Sequence, residues 1–155
     1  MNFLPICLNI GNARIVVVGG GKAAEQKLKT LLLYTRNIVV CAPEIRRSIH
    51  ALPVTPIEKP YEEGVLEGAR VVYACTDDRN INRKIAADAK RRHILACVAD
   101  DPEFCDFISA AIYKKDFMSI AVSSNAQDVK RSVAWRNQIA EKFKNEPQSE
   151  NKSKK

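Results

Sequence analysis

The chain has 155 residues, which suits one compact domain or one domain with a small appendage. Hydrophobic residues make up 46%, which excludes wholesale disorder, and no apolar run approaches the ~20 residues that span a bilayer. The net charge is +7, and the body keeps +6 once the polar tail is set aside, a surface that attracts polyanions; no basic stretch is interleaved with aromatics, which argues against nucleic acid.

The first residues, Met1-Asn2-Phe3-Leu4-Pro5-Ile6, lack the basic and long apolar regions of a signal peptide, so a cytoplasmic protein is expected. Arg14-Ile15-Val16-Val17-Val18 is a β-branched run without alternation, the pattern of a strand buried on both faces of a parallel sheet. Glycines follow at once. A helix is then expected over residues 22–34, with Ala24, Leu28, Leu31 and Leu32 at helical spacing. Residues 37–41 read as the next buried strand and complete a βαβ unit. Past Pro43, residues 44–52 suggest a short helix with Ile45, Ile49 and Leu52 on one face. Residues 54–58 suggest a weak strand, since Pro53 and Pro56 both interrupt it. Residues 70–75 form another buried strand. Thr76-Asp77-Asp78 then supplies N-cap chemistry for a helix to about Lys90, striped by Ile81, Ile85, Ala86 and Ala89. Residues 94–98 are a fifth strand.

The rhythm changes after Asp100. Residues 107–113 and 117–123 read as two strands joined by Lys114-Lys115-Asp116, a hairpin rather than a βαβ step. A helix over residues 127–144 follows, and residues 145–155 read as a disordered tail. The expected architecture is α/β: a Rossmann-type, doubly wound parallel sheet over residues 1–103, then a short β-hairpin plus helix over residues 104–144.

Several positions carry chemistry. Gly19-Gly20-Gly21-Lys22-Ala23-Ala24 fits G-x-G-x-x-A between a buried strand and a helix. Gly19 serves the tight turn, Gly21 the approach of a pyrophosphate to backbone, and Ala24 close helix–sheet packing. The helix start offers free N–H groups to phosphates. The first acid after the second strand is Glu44, while Arg46 and Arg47 are close enough to accept a 2′-phosphate, so the residues alone leave NAD and NADP open. Thr76-Asp77-Asp78 is expected at the ligand crevice as well as capping its helix. Asp100-Asp101 offers a base for oxidation, or a polar turn before Pro102. Ser123-Ser124 precedes a helix and suits either an anionic group or a plain cap. The five cysteines have no CxxC spacing; Cys41, Cys75 and Cys97 end strand-like runs and read as small buried hydrophobes, and no metal site is expected.

Taken in order, Leu4-Pro5-Ile6, Val17-Val18-Gly19-Gly20-Gly21, Ala42-Pro43-Glu44, Thr76-Asp77-Asp78 with Asn82, Val98-Ala99-Asp100-Asp101, Phe107-Ile108 and Ala121-Val122-Ser123-Ser124 resemble the precorrin-2 dehydrogenase family, the N-terminal module of siroheme synthases. The resemblance implies NAD-dependent oxidation of precorrin-2 to sirohydrochlorin in a cytoplasmic homodimer formed through the hairpin and last helix, with no nucleic acid or membrane involved. It implies Asp100 as the catalytic residue. It implies Gly19, Gly20, Gly21, Lys22, Ala23, Ala42, Pro43, Thr76 and Asp77 as cofactor contacts, and Ser124, Asn125 and Arg136 as contacts to the tetrapyrrole. The substrate's eight carboxylates match the basic body. Some family members also insert Fe²⁺, so a bifunctional dehydrogenase and ferrochelatase is an alternative; a non-catalytic NAD- or tetrapyrrole-binding partner is another. The chain departs from the family pattern at Cys97, Ala110 and Ser124-Asn125-Ala126-Gln127-Asp128, all on the substrate side.

Overall fold

A computed structural model describes residues 1–99 and 101–144. Asp100 and the tail at residues 145–155 lie outside the described residues. The chain divides into two compact units, the first covering Phe3–Ile108 and the second beginning at Ser109.

The first unit is a five-stranded parallel sheet in the order β3-β2-β1-β4-β5, with β1 at Arg14–Val18, β2 at Ile38–Cys41, β3 at Thr55–Ile57, β4 at Ala69–Ala74 and β5 at Leu95–Val98. The unbroken apolar runs have a direct cause. Side chains alternate across a strand, and both faces of this sheet are covered. Ile15 and Val17 point into one core with Ile38, Val40, Val71 and Tyr73, beneath Ala24, Leu28 and Leu31 of α1 (Lys22–Leu31) and Ile49 of α2 (Arg47–His50). Val16 and Val18 point into the other with Val39, Val72, Ala96 and Val98, beneath Ile85, Ala86 and Ala89 of α3 (Arg79–Arg91). The sheet is thus doubly wound.

The helix expected to reach residue 34 ends at Leu31 because Leu33 and Tyr34 bond back three residues, to Thr30 and Leu31, tightening the last turn. The helix expected over residues 44–52 shrinks to one turn. Its first residues commit their backbone to the glycine loop instead, Arg46 N–H donating to Gly20 O at 3.1 Å. β3 is short, lies at the sheet edge and contains Pro56, opposite Val40. On the α3 face, Asp88 is buried among Tyr61 Oη, Lys84 Nζ and Arg91 Nη2 at 2.9, 2.9 and 2.6 Å. Burial disfavours its charge, but those three donors outweigh it and hold the carboxyl below the usual range.

The second unit pairs β6 (Ala111–Lys115) with β7 (Met118–Val122) in an antiparallel hairpin and adds α4 (Val129–Phe143). β6 starts at Ala111 rather than near Phe107 because the Phe107 ring packs edge-on against Tyr73 of the parallel sheet, 5.5 Å between centroids. Asp128 caps α4, its Oδ1 accepting from Arg131 N–H at 2.8 Å. Among the described residues, no helix is long and apolar enough to cross a membrane.

Candidate functional site

The strand order reverses direction between β1 and β4, which is where open α/β sheets open a crevice at the carboxyl ends of their strands. Two turns meet there. Gly19, Gly20 and Gly21 leave β1 for α1, and Thr76, Asp77 and Asp78 leave β4 for α3.

The three glycines do three different things. Gly19 has φ +126°, and a Cβ on it would lie 2.4 Å from Cys75 O, so this residue lets the ends of β1 and β4 touch. Its N–H closes the other side by donating to Cys41 O at 2.8 Å. A Cβ on Gly20 would lie 1.9 Å from Glu44 O, so Gly20 seats the segment that follows β2. A Cβ on Gly21 would meet nothing within 4 Å. Gly21 is also the N-cap of α1 and no side chain caps that helix. Its first-turn N–H groups therefore face open space, with Lys22 and Ala23 exposed beside them. A helix start that is open and uncapped, at a switch point, fits the pyrophosphate of a dinucleotide.

The Thr76 turn is built from α3. Asn82 is buried on that helix, and its side-chain amide treats Thr76 as a neighbouring strand would. Its Oδ1 accepts from Thr76 N–H at 3.1 Å and from Thr76 Oγ1 at 2.7 Å, while its Nδ2 donates to Thr76 O at 2.9 Å. Asp78 caps α3 by accepting from Asn80 N–H and Ile81 N–H at 2.7 and 3.3 Å; Asp77, exposed like Asp78, takes no part in those two bonds. Reading the turn as both cap and crevice wall missed the part Asn82 plays. The available signal was a lone amide at a buried position of an apolar helix stripe, six residues after Thr76.

Beyond β2, Ala42 is buried, its N–H donating to Ile57 O at 3.2 Å, and Pro43 is exposed. Arg46, a candidate for a 2′-phosphate, has its Nε 3.6 Å from Glu25 Oε2. Glu25 also takes Lys29 Nζ at 2.8 Å and Ser48 Oγ at 3.0 Å, and the hydrogen bonds from Lys29 and Ser48 draw its carboxyl below the usual range. At the end of β5, Ala99 N–H donates to Ala74 O at 2.8 Å, and Asp101 pairs with Arg83 at 3.5 Å; Asp100, between them, is outside the described residues. Cys41, Cys75 and Cys97 are buried in the two cores, and none of the five cysteines is in a disulfide.

In the second unit, Ser124 Oγ accepts from Asp128 N–H at 2.9 Å. Asn125 and Ala126 follow with φ of +57° and +64°. Arg136 is half-buried and its Nη1 donates to Ile112 O at 3.0 Å, so part of this guanidinium fastens α4 to the hairpin.

Comparison with known proteins matches residues 6–111 to the family described as "Putative NAD(P)-binding", and the chain belongs to that family. Its cofactor is accordingly a nicotinamide dinucleotide. The chain is 35% identical to the siroheme synthase of Psychrobacter sp. (strain PRwf-1) over 131 residues, 82% of this chain and 27% of that protein. It is 37% identical to the siroheme synthase of Chromobacterium violaceum over 128 residues, 80% of this chain and 27% of that protein. The chain thus spans about a quarter of the length of these relatives. Its fold matches a solved structure titled "SirC, precorrin-2 dehydrogenase" with a TM-score of 0.76 and 19% identity, covering 91% of this chain and 71% of that one.

Proposed function

We propose that the chain oxidises precorrin-2 to sirohydrochlorin with NAD in siroheme synthesis. The observation that carries this reading is the open, uncapped start of α1 at the switch point, set against the Asn82-held turn, in a chain whose relatives over four-fifths of its length are siroheme synthases.

The N–H groups from Gly20 to Ala23 and the Lys22 side chain hold the pyrophosphate. Ala42 and Pro43 border the adenosine end. Thr76 and Asp77 border the nicotinamide end, and Thr76 is fixed there by the three hydrogen bonds of Asn82. The pairing of Arg46 with Glu25 supports NAD over NADP, since a 2′-phosphate has to compete with a carboxylate already in place. When bound, NAD supplies the acceptor for a hydride. Asp100 takes the accompanying proton, and Ser124, Asn125 and Arg136 contact the tetrapyrrole. Residues 1–103 form the cofactor domain and residues 104–144 pair two copies of the chain. The apolar side chains left on that segment, Phe117, Met118 and Val129, at 70%, 62% and 67% exposure, support such pairing.

The purified protein, supplied with precorrin-2 and NAD, is expected to form sirohydrochlorin, followed by absorbance, with NADP a poorer acceptor. Asp100→Asn is expected to lower kcat by roughly two orders of magnitude or more while NAD still binds. Absence of product from the intact protein sinks the reading; full activity in Asp100→Asn removes only the role given to that residue. Light scattering on the eluted protein tests the dimer.

A further inference from the structure

The two units do not share the charge evenly. Residues 109–144 hold seven Lys or Arg against three Asp or Glu, whereas the much longer stretch of residues 1–108 holds fifteen against thirteen. On this basic unit lies a groove of about 340 Å³ bordered by Ser123, Ser124, Gln127, Asp128, Arg131 and Trp135. Trp135 is the only tryptophan of the chain and is 51% exposed, an unusual position for so large an apolar ring. The Arg131 guanidinium lies over it, 5.2 Å from the ring centroid, a cation–π contact that sets a positive charge beside the indole. Asp128, the one acid in the groove, is spent on capping α4.

We infer that Trp135 and Arg131 form a binding platform for a flat, conjugated polycarboxylate, the indole stacking on one edge of the ring system and the guanidinium meeting a carboxylate at that edge. This deepens the dehydrogenase reading and rests on it: such a ligand is the tetrapyrrole, and the platform adds two specificity-determining residues beside Ser124. The volume is at the small end of ligand sites, roughly 300–1,000 Å³, so the groove takes an edge of the macrocycle and leaves the rest outside. The basic surroundings select for many carboxylates over few.

The probe is uroporphyrin I, an octacarboxylate porphyrin, with the dicarboxylate mesoporphyrin IX for comparison. Uroporphyrin is expected to quench the emission of Trp135 saturably, with an affinity that weakens as salt rises, and mesoporphyrin to bind at least tenfold more weakly. Porphyrin anisotropy is expected to show about tenfold weaker uroporphyrin binding in Trp135→Leu and Arg131→Gln, with Trp135→Phe recovering most of it. Circular dichroism establishes that the variants fold; should Trp135→Leu not fold, quenching in the unaltered protein decides. Unchanged affinity in folded Trp135→Leu and Arg131→Gln overturns the platform, as does turnover of precorrin-2 without any quenching by uroporphyrin; both leave the dehydrogenase reading standing. Failure of the unaltered protein to turn over precorrin-2 removes the reading beneath it instead.

Discussion

Gly20 and Gly21 are adjacent, yet a methyl group added to each is expected to do opposite things. In Gly20→Ala the new Cβ falls 1.9 Å from Glu44 O and 2.9 Å from Ile45 Cα, both backbone atoms, so the 44–46 segment has to move. That displacement breaks the Arg46 N–H to Gly20 O bond and crowds a packed site. Together these cost about 3 kcal/mol, taking a typical hydrogen bond at ~1 and overpacking at ~2. For a unit of this size such a loss lowers the melting midpoint by roughly 10 °C or more. In Gly21→Ala the Cβ meets nothing within 4 Å and φ is −91°, a value any residue adopts. Stability should stay within about 0.5 kcal/mol. The methyl instead stands where a phosphate has to reach the helix N–H groups. Loss of one charge-assisted hydrogen bond, about 2 kcal/mol, weakens NAD roughly 30-fold. Urea denaturation and calorimetric titration with NAD read the two quantities separately. A Gly20→Ala protein as stable as the unaltered one, or a Gly21→Ala protein that binds NAD with undiminished affinity, would refute these two roles.

Three further outcomes are expected. Asn82→Ala strips the Thr76 turn of three hydrogen bonds and should cost about 2 kcal/mol in denaturation while raising the KM for NAD. Asp88 is held below its ordinary range in the folded state, so the stability it confers is present above the unfolded carboxylate value of about 4 and drains away as pH falls through the lower folded one. Asp88→Asn should therefore be less stable at neutral pH by about 1–3 kcal/mol and lose that part of the acid dependence; equal urea midpoints at neutral pH would count against the account. Ala126→Gly relieves a left-handed alanine, φ +64°, and should stabilise the second unit by about 0.5–1 kcal/mol in thermal melts.

What could be read from residues alone was whatever depends on local pattern. Val16 and Val17 announce a strand covered on both sides, and Asp78 announces a helix start, because each signal sits in the residues that respond to it. The helix expected at residues 44–52 failed for the opposite reason. Its first turn is claimed by Gly20, more than twenty positions earlier, and nothing in the local spacing carries that contact. Phe107 misled in the same way, since its apolar character answers to Tyr73 rather than to the hairpin beside it. At the site, the glycine motif identified the kind of turn but not the division of labour within it. Only the space around each Cα separates the glycine that joins two strands from the one that seats a segment and the one left open.

The proline in the shortest strand has a consequence for life in a crowded solution. Pro56 removes an N–H from the outer rim of the parallel sheet, and β3 spans only Thr55–Ile57. A stray extended peptide, or the same strand of another molecule, finds too few donors and too short a rail on that side to extend the ladder. The sheet is thereby guarded on this flank against runaway growth into fibrils.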